Sequence, residues 1–147
     1  MNIYTKSFIL LIFIAFVACT HKDTPKYKQD KKGEVLAYFN DSVSPKVIWN
    51  YNEDSTTITA SYFYQNGKLR MKGQILNGVR NGKWTAWDNQ GRMLSTGNYI
   101  DGIENGMWTV WYPKGVKRYE GMFKDGKRTG IWKFYNEQGM LTKEIEY

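Results

Sequence analysis

The feature that most constrains this chain is a six-residue stretch that recurs three times, at an interval of 24 residues. Its copies are residues 82–87 (GKWTAW), 106–111 (GMWTVW) and 130–135 (GIWKFY), and they align without a gap. All but one of the 14 glycines fall into the same frame. A fixed period of this length is the signature of stacked structural repeats. The sequence therefore predicts a repeat architecture.

Short β-rich segments alternate with turn signals from Val35 to the C-terminus. Between these segments stand pairs such as Asn77-Gly78, Asp101-Gly102 and Asp125-Gly126. Such pairs favour tight hairpins, because the turn needs residues with positive φ. No stretch shows helical periodicity with caps. We therefore predict an all-β antiparallel meander of about ten strands, near residues 35–40, 46–51, 57–64, 68–76, 83–88, 92–100, 107–112, 116–124, 131–136 and 140–146.

Composition divides the chain into three parts. Residue Lys6 precedes eleven apolar residues, 8–18, which is the length of a signal-peptide core and too short for a membrane-spanning helix. We interpret residues 1–18 as a lipoprotein signal peptide, 19–32 as a lipid anchor with a flexible basic tether, and 33–147 as the repeat domain. Within this domain, residues 65–147 are regular repeats. Residues 33–64 keep the period without its glycines, as a degenerate capping unit would.

The only cysteine, Cys19, ends the apolar run. Residues 16–19 (FVAC) resemble the lipobox of bacterial lipoproteins, in which the cysteine is lipidated and becomes the mature N-terminus. A single thiol cannot form an internal disulfide. The resemblance implies an exported bacterial lipoprotein of the cell envelope, bound to the membrane through Cys19. Thr20, in place of Asp, resembles outer-membrane lipoproteins if the host is Gram-negative. The alternative is an ordinary cleaved signal with an incidental cysteine.

The formal charge of +7 belongs mainly to the N-terminal part. Residues 1–32 hold six of the 21 Lys and Arg and two of the 14 acidic residues. The remaining excess, about +3, is spread over the repeats instead of forming the basic stripe that nucleic-acid binding uses. We therefore predict no nucleic-acid partner.

Few residues are available for catalysis. Beyond His21 the chain has no His and no Cys, so zinc, haem, thiol and imidazole chemistry lack their ligands. Paired carboxylates could hydrolyse glycosides, but Asp101, Glu104, Glu120 and Asp125 lie in or beside predicted turns, where we expect solvated acids. The sequence predicts no catalytic residues, no metal site, no cofactor and no enzymatic activity.

The glycines and rings of the repeat follow the order Gly-x-Tyr/Phe-x-x-Gly-x-x-x-Gly-x-Trp-x-x-Trp/Tyr-x-x-x-Gly. Residues 97–115 and 121–139 meet it fully, and residues 73–91 meet it with Ile75 at the aromatic position. The pattern resembles the MORN repeat (membrane occupation and recognition nexus) in its short bacterial variant, strongly over 65–147 and weakly over 35–64. The resemblance implies a single-layer, twisted antiparallel sheet of 24-residue β-hairpin repeats. It also implies an antitoxin-like role as a possibility, since bacterial members often carry that label.

Side chains alternate between the faces of a strand, so each Trp-bearing strand places one ring on either face. We expect two columns of rings, each ring packing on its neighbour one repeat away. Such columns hold hairpins together or, where uncovered, form a binding platform. Five basic residues are expected to form a local cluster beside them, either solvated or binding an anionic ligand. The candidate binding residues are therefore Trp84, Trp108 and Trp132 on one face, Trp87, Trp111 and Tyr135 on the other, and Lys117, Arg118, Lys124, Lys127 and Arg128.

These features predict a lipid-anchored, non-catalytic binding or scaffolding module of the envelope. Its partner is expected to be a protein or a glycan that contacts several repeats, because a one-layer sheet has little room for an enclosed pocket. An envelope glycan binder and an antitoxin- or immunity-like protein of a toxin system are the alternatives. The signal sequence counts against a cytoplasmic antitoxin.

Cys19→Ser should abolish palmitate labelling and release the protein from the membrane, because the thiol is the predicted site of acylation. Metabolic labelling and membrane fractionation measure the two effects. Continued membrane partition of the variant would contradict lipidation and indicate that the apolar segment is retained.

Overall fold

A computed structural model describes residues 33–53 and 56–147, and these form one antiparallel β-sheet. The predicted signal peptide, Cys19 and the tether 19–32 lie outside the described residues. Within the described ranges, no helix has the length and apolar character needed to cross a bilayer.

Eleven strands follow one another along the described chain. The short strand β7 and strand β8 both pair with β6 and are separated only by Asn105, so they are two pieces of one strand. The predicted meander of ten segments is therefore confirmed. The strands are β1 (Gly33–Tyr38), β2 (Pro45–Tyr51), β3 (Thr57–Phe63), β4 (Leu69–Leu76), β5 (Val79–Trp87), β6 (Met93–Ile100), β7 (Ile103–Glu104), β8 (Gly106–Trp111), β9 (Lys117–Lys124), β10 (Lys127–Tyr135) and β11 (Leu141–Glu146).

Each strand pairs antiparallel with the strands next to it in the chain, in the order β1-β2-β3-β4-β5-β6-β8-β9-β10-β11. The segment predicted as a capping unit, residues 33–64, supplies β1, β2 and β3 to this same sheet. Ile48 and Ala60 are its most buried apolar side chains. The all-β, hairpin-based architecture predicted from the period is confirmed.

Three hairpins turn at Asn-Gly or Asp-Gly pairs spaced 24 residues apart. Asn77, Asp101 and Asp125 have φ of 51°, 49° and 51°, and the glycines that follow them also have positive φ. Two successive residues with positive φ define the type I′ turn, whose twist matches that of the flanking strands. These pairs therefore fix where one strand ends and the next begins.

The core of the sheet depends on tryptophan rings that lie against glycine backbone. A Cβ atom added at Gly97 would overlap the indole of Trp108, and Gly73 and Gly121 have the same relation to Trp84 and Trp132. Only a residue without a side chain leaves space for the ring at this distance.

We expected each ring of the core to pack on its counterpart one repeat away, and that prediction was wrong. One strand lies between those counterparts, so their backbones are two strand spacings, about 10 Å, apart. Tyr or Phe rings fill the space, with centroid separations of 5.1 to 6.4 Å and edge-to-face angles of 73° to 90°. The result is one continuous row, in the order Trp84, Tyr99, Trp108, Phe123, Trp132, Tyr147.

Gly97→Ala should destabilise the sheet by about 1–3 kcal/mol, because the added methyl overlaps the Trp108 ring. Trp108→Ala should cost about 3–5 kcal/mol. The double variant should cost clearly less than the sum, since the methyl has room once the indole is gone. Urea denaturation of the three variants measures this.

Gly115→Ala is the matched control. Gly115 has φ of 83° and nothing within 4 Å of an added Cβ, so its cost comes from the backbone alone. That cost should be unchanged by Trp108→Ala. Additive effects for Gly97→Ala and Trp108→Ala would show that the ring does not require the glycine.

Candidate functional site

The two faces of the sheet present their aromatic rings differently. We call the face with Trp84, Trp108 and Trp132 the first face, and the face with Trp87 and its equivalents the second face. Trp84 is 4% exposed and Trp132 is 1% exposed. Their indole N–H groups donate to the carbonyls of Gln74 and Met122, at 3.0 and 3.1 Å. These two predicted binding residues therefore hold neighbouring strands together.

Arginines cover the same two rings on the first face. The guanidinium of Arg80 lies 4.4 Å from the centroid of Trp84, and that of Arg128 lies 4.6 Å from Trp132. A partner that approached the first face at these points would meet a cation above a ring instead of the ring itself. Trp108 is half-buried, and no Arg or Lys of residues 33–53 and 56–147 lies over it.

On the second face, Trp87 stands in an open groove of about 360 Å³. Lys72, Lys83 and Thr85 line the groove with it, and we call it the Trp87 groove. It joins an aromatic ring, two cations and a hydroxyl on one surface. Such a surface can hold a flat or apolar group together with an anion.

Trp111 lines a second groove, of about 400 Å³, which we call the Trp111 groove. Arg92, Met93 and Lys114 contribute to it. The Arg92 Nε atom donates to the carboxylate of Asp88 at 2.6 Å, which fixes the guanidinium beside the groove. Both grooves thus combine one tryptophan with two cations, although the cations occupy different positions of the repeat.

The third ring of the second face, Tyr135, is part of a hydrogen-bonded group. Its hydroxyl donates to the Glu120 carboxylate at 2.9 Å, and Lys117 Nζ donates to the same carboxylate at 2.7 Å. The bond from Lys117 lowers the pKa of Glu120, and the bond to Glu120 raises the pKa of Tyr135. The ammonium group of Lys117, a predicted binding residue, is therefore already paired with Glu120.

The predicted local cluster of five basic residues does not form, and that prediction was wrong. Strand β9 runs from Lys117 to Lys124, and an extended strand of this length spans about 23 Å. Lys117 and Arg118 lie at one end of β9. Lys124, Lys127 and Arg128 lie at the other, where Lys124 pairs with Lys127 across the hairpin. Arg118 is placed 5.7 Å from the ring of Tyr112.

Sequence reasoning missed the cations that do stand beside second-face rings. These are Lys72 and Lys83 in the Trp87 groove, and Arg92 and Lys114 in the Trp111 groove. Strand alternation could have found Lys83, since Lys83, Thr85 and Trp87 occupy alternate positions of β5. The others depend on the register between strands.

Among the described residues, His, Cys, Asp and Glu side chains form no group of three or more that could hold a metal ion. Within the described ranges, no pair of rings in contact includes Trp87, Trp111 or Tyr135. The second-face rings therefore carry less of the packing than the row on the first face.

Glu120→Gln should lower the free energy of unfolding at pH 7 by on the order of 1 kcal/mol. The pKa of this carboxylate is lowered from its ordinary 4.5, so its contribution is present above pH 4.5 and is lost as pH falls through the lowered pKa. Urea titrations at pH 7 and at about pH 2 should show the difference vanish in acid.

Glu137→Gln is the control for this experiment. Glu137 forms an exposed ion pair with Lys114 at 3.7 Å, so its removal should change stability little at either pH. A Glu120→Gln effect of equal size at both values of pH would show that the charge of Glu120 is not what stabilises the fold.

Comparison with known proteins gives a family match over three segments. The MORN repeat variant matches residues 57–77, 104–125 and 128–147. No curated protein matches the chain. A solved structure of the pneumococcal O-GlcNAc transferase GtfA, in complex with UDP and GlcNAc, is similar at 14% identity and a TM-score of 0.42; the match covers 69% of this chain and 19% of that chain. The chain therefore carries three copies of the MORN repeat variant.

Proposed function

We propose that this protein is a lipid-anchored, non-catalytic binding or scaffolding module of the cell envelope, and that it binds a protein through its second face. Its MORN repeats suggest a repeat-based binding module. The observation that carries the choice of face is that Trp87 and Trp111 each stand in an open groove beside two cations.

The first face is less suited to a broad contact. Its rings pack edge to face in one row, and Arg80 and Arg128 cover two of the three tryptophans. Tryptophan and arginine at the centre of a surface are the side chains that contribute most to protein–protein affinity. On the second face a tryptophan lines each open groove, and Arg92 lines the Trp111 groove.

The two grooves favour an extended partner. Trp87 and Trp111 are equivalent residues of consecutive repeats, so two strand spacings, about 10 Å, separate their backbones. A segment that crosses the strands can contact both rings. The four cations, Lys72, Lys83, Arg92 and Lys114, favour acidic groups on that partner.

The predicted anchor is compatible with such contacts. The 13 residues of the tether after Cys19 span at most about 45 Å when extended. Lipidation at Cys19 would therefore hold the sheet at the membrane surface and leave both faces accessible to partners in the envelope.

A glycan is the second candidate partner, favoured by the lining of the Trp87 groove. Besides the ring it contains the hydroxyls of Thr59 and Thr85 and the amide of Gln74. Rings that stack on sugars, with hydrogen-bonding groups around them, are what a glycan site requires.

Capture from envelope extract by the immobilised full chain tests the proposal. Lys72→Ala/Lys83→Ala should reduce recovery of the partner at least about fivefold, the effect of losing roughly 1 kcal/mol. Lys124→Ala/Lys127→Ala removes the same charge at the β9–β10 hairpin, outside both grooves, and should retain recovery. Mass spectrometry and glycan analysis identify what is bound.

Equal recovery by the wild type and both variants would contradict binding through the Trp87 groove. Protease treatment of the extract should abolish recovery; if recovery instead persists and periodate abolishes it, the partner is a glycan. Turnover of a substrate by the purified chain would overturn the non-catalytic assignment.

A further inference from the structure

The first face breaks its own pattern at the middle repeat. In the repeats on either side, Arg80 precedes Trp84 and Arg128 precedes Trp132, each by four residues. The corresponding residue before Trp108 is Glu104. The ring that follows changes as well, because Tyr99 and Tyr147 have Phe123 between them at the equivalent position.

In the outer repeats, the arginine guanidinium lies between a tryptophan ring and a tyrosine ring. Arg80 lies 4.4 Å from Trp84 and 5.3 Å from Tyr99, and it donates to the Tyr99 hydroxyl at 3.2 Å. Arg128 lies 4.6 Å from Trp132 and 5.2 Å from Tyr147, with a hydrogen bond of 2.8 Å to the Tyr147 hydroxyl. Each guanidinium thus has an indole face and a neutral oxygen acceptor.

The middle repeat keeps the rings in the same arrangement. Trp108 and Phe123 meet at 5.6 Å and 73°, compared with 6.4 Å and 79° for Trp84 and Tyr99. The backbone is equivalent too, since the carbonyl of Glu104 accepts the N–H of Gly126 just as that of Arg80 accepts the N–H of Gly102. The side chain at this position therefore begins from the same place beside the rings.

What the middle repeat lacks is the cation. Trp108 is half-buried, whereas both arginine-covered tryptophans are almost fully buried. Among the described residues, no Lys or Arg forms an ion pair with Glu104. The hydrogen-bonding groups have also changed. Phe123 has no hydroxyl to accept a hydrogen bond, and Glu104 carries a carboxylate at the sequence position of the arginine. The middle repeat thus offers a ring face and a negative charge without a positive group of its own.

We propose that Trp108, Phe123 and Glu104 form a binding site for an arginine side chain of a partner protein. The guanidinium would lie over the Trp108 ring and donate to the Glu104 carboxylate, as the chain's own arginines lie over Trp84 and Trp132. Arginine suits this site better than lysine, because its planar group stacks on rings and donates two parallel hydrogen bonds to a carboxylate. The site is on the first face and is independent of the two second-face grooves.

Fluorine NMR of the full chain labelled with 5-fluorotryptophan tests this site directly. The Trp108 resonance is assigned by its loss in Trp108→Phe. Nα-acetyl-arginine amide, titrated to about 50 mM at constant ionic strength, should shift this resonance saturably. Nα-acetyl-citrulline amide has the same shape without the charge and should bind at least about tenfold more weakly.

Three variants separate the charge of Glu104 from its place in the fold. Glu104→Gln should weaken arginine binding by about three- to tenfold. Glu104→Arg supplies a guanidinium within the chain and should abolish the shift. Asp101→Asn removes a neighbouring exposed acid and should leave binding unchanged.

The proposal is overturned if no saturable shift occurs, if another tryptophan responds instead, or if Glu104→Gln binds as the wild type does. An equal response to Nα-acetyl-lysine amide would also overturn it, since the site would then be a general cation site. Failure here, with partner capture still dependent on Lys72 and Lys83, would leave the proposed function intact.

Discussion

The structure depends on the close approach of an indole ring to a glycine backbone. A sheet without a second layer has no opposing core, so its apolar groups must be buried against neighbouring strands of the same sheet. Trp84, Trp108 and Trp132 achieve this by lying along the face, over Gly73, Gly97 and Gly121. A side chain at any of these glycines would lift the ring. These glycine–tryptophan contacts recur every 24 residues, which accounts for the period of the sequence.

Features that depend on local residues could be predicted from the sequence. The pairs Asn77-Gly78, Asp101-Gly102 and Asp125-Gly126 form the predicted hairpins, and side-chain alternation correctly places Trp84 and Trp87 on opposite faces. The hairpins predicted at Asn81-Gly82 and Asn105-Gly106 were wrong, because the first pair lies inside β5 and the second joins β7 to β8. Features that depend on contacts between strands could not be predicted from the sequence. The Tyr and Phe rings between the tryptophans follow from the sheet register. The predicted cluster of five basic residues rested on their closeness in sequence. Strand β9 rises roughly 3.3 Å per residue, so Lys117 and Lys124 at its two ends are more than about 20 Å apart.

The stacking of Arg80 and Arg128 on first-face tryptophans could not be predicted from the sequence for a different reason. Arg80 and Arg128 are two periods apart, and Glu104 occupies the same position in the repeat between them. When adjacent repeats are aligned, this position therefore shows Arg opposite Glu, as a position without a structural role would. Their partners vary with them, since Tyr99 and Tyr147 accept hydrogen bonds that Phe123 cannot. The repeats therefore alternate in chemistry while keeping one backbone. The first face is closed by its own cations in the outer repeats, and the second face keeps its rings beside cations in open grooves.

The meander also determines how the molecule would respond to mechanical force. Within residues 33–53 and 56–147, strands pair only with their neighbours along the meander, and no long-range crossover connection joins distant hairpins. Tension applied through the N-terminal segment would enter at β1, an edge strand with a single partner. Hydrogen bonds would then be loaded in sequence and not all at once. Such a sheet would peel from one edge at low force, hairpin by hairpin, and refold quickly because every contact to be regained is close along the chain.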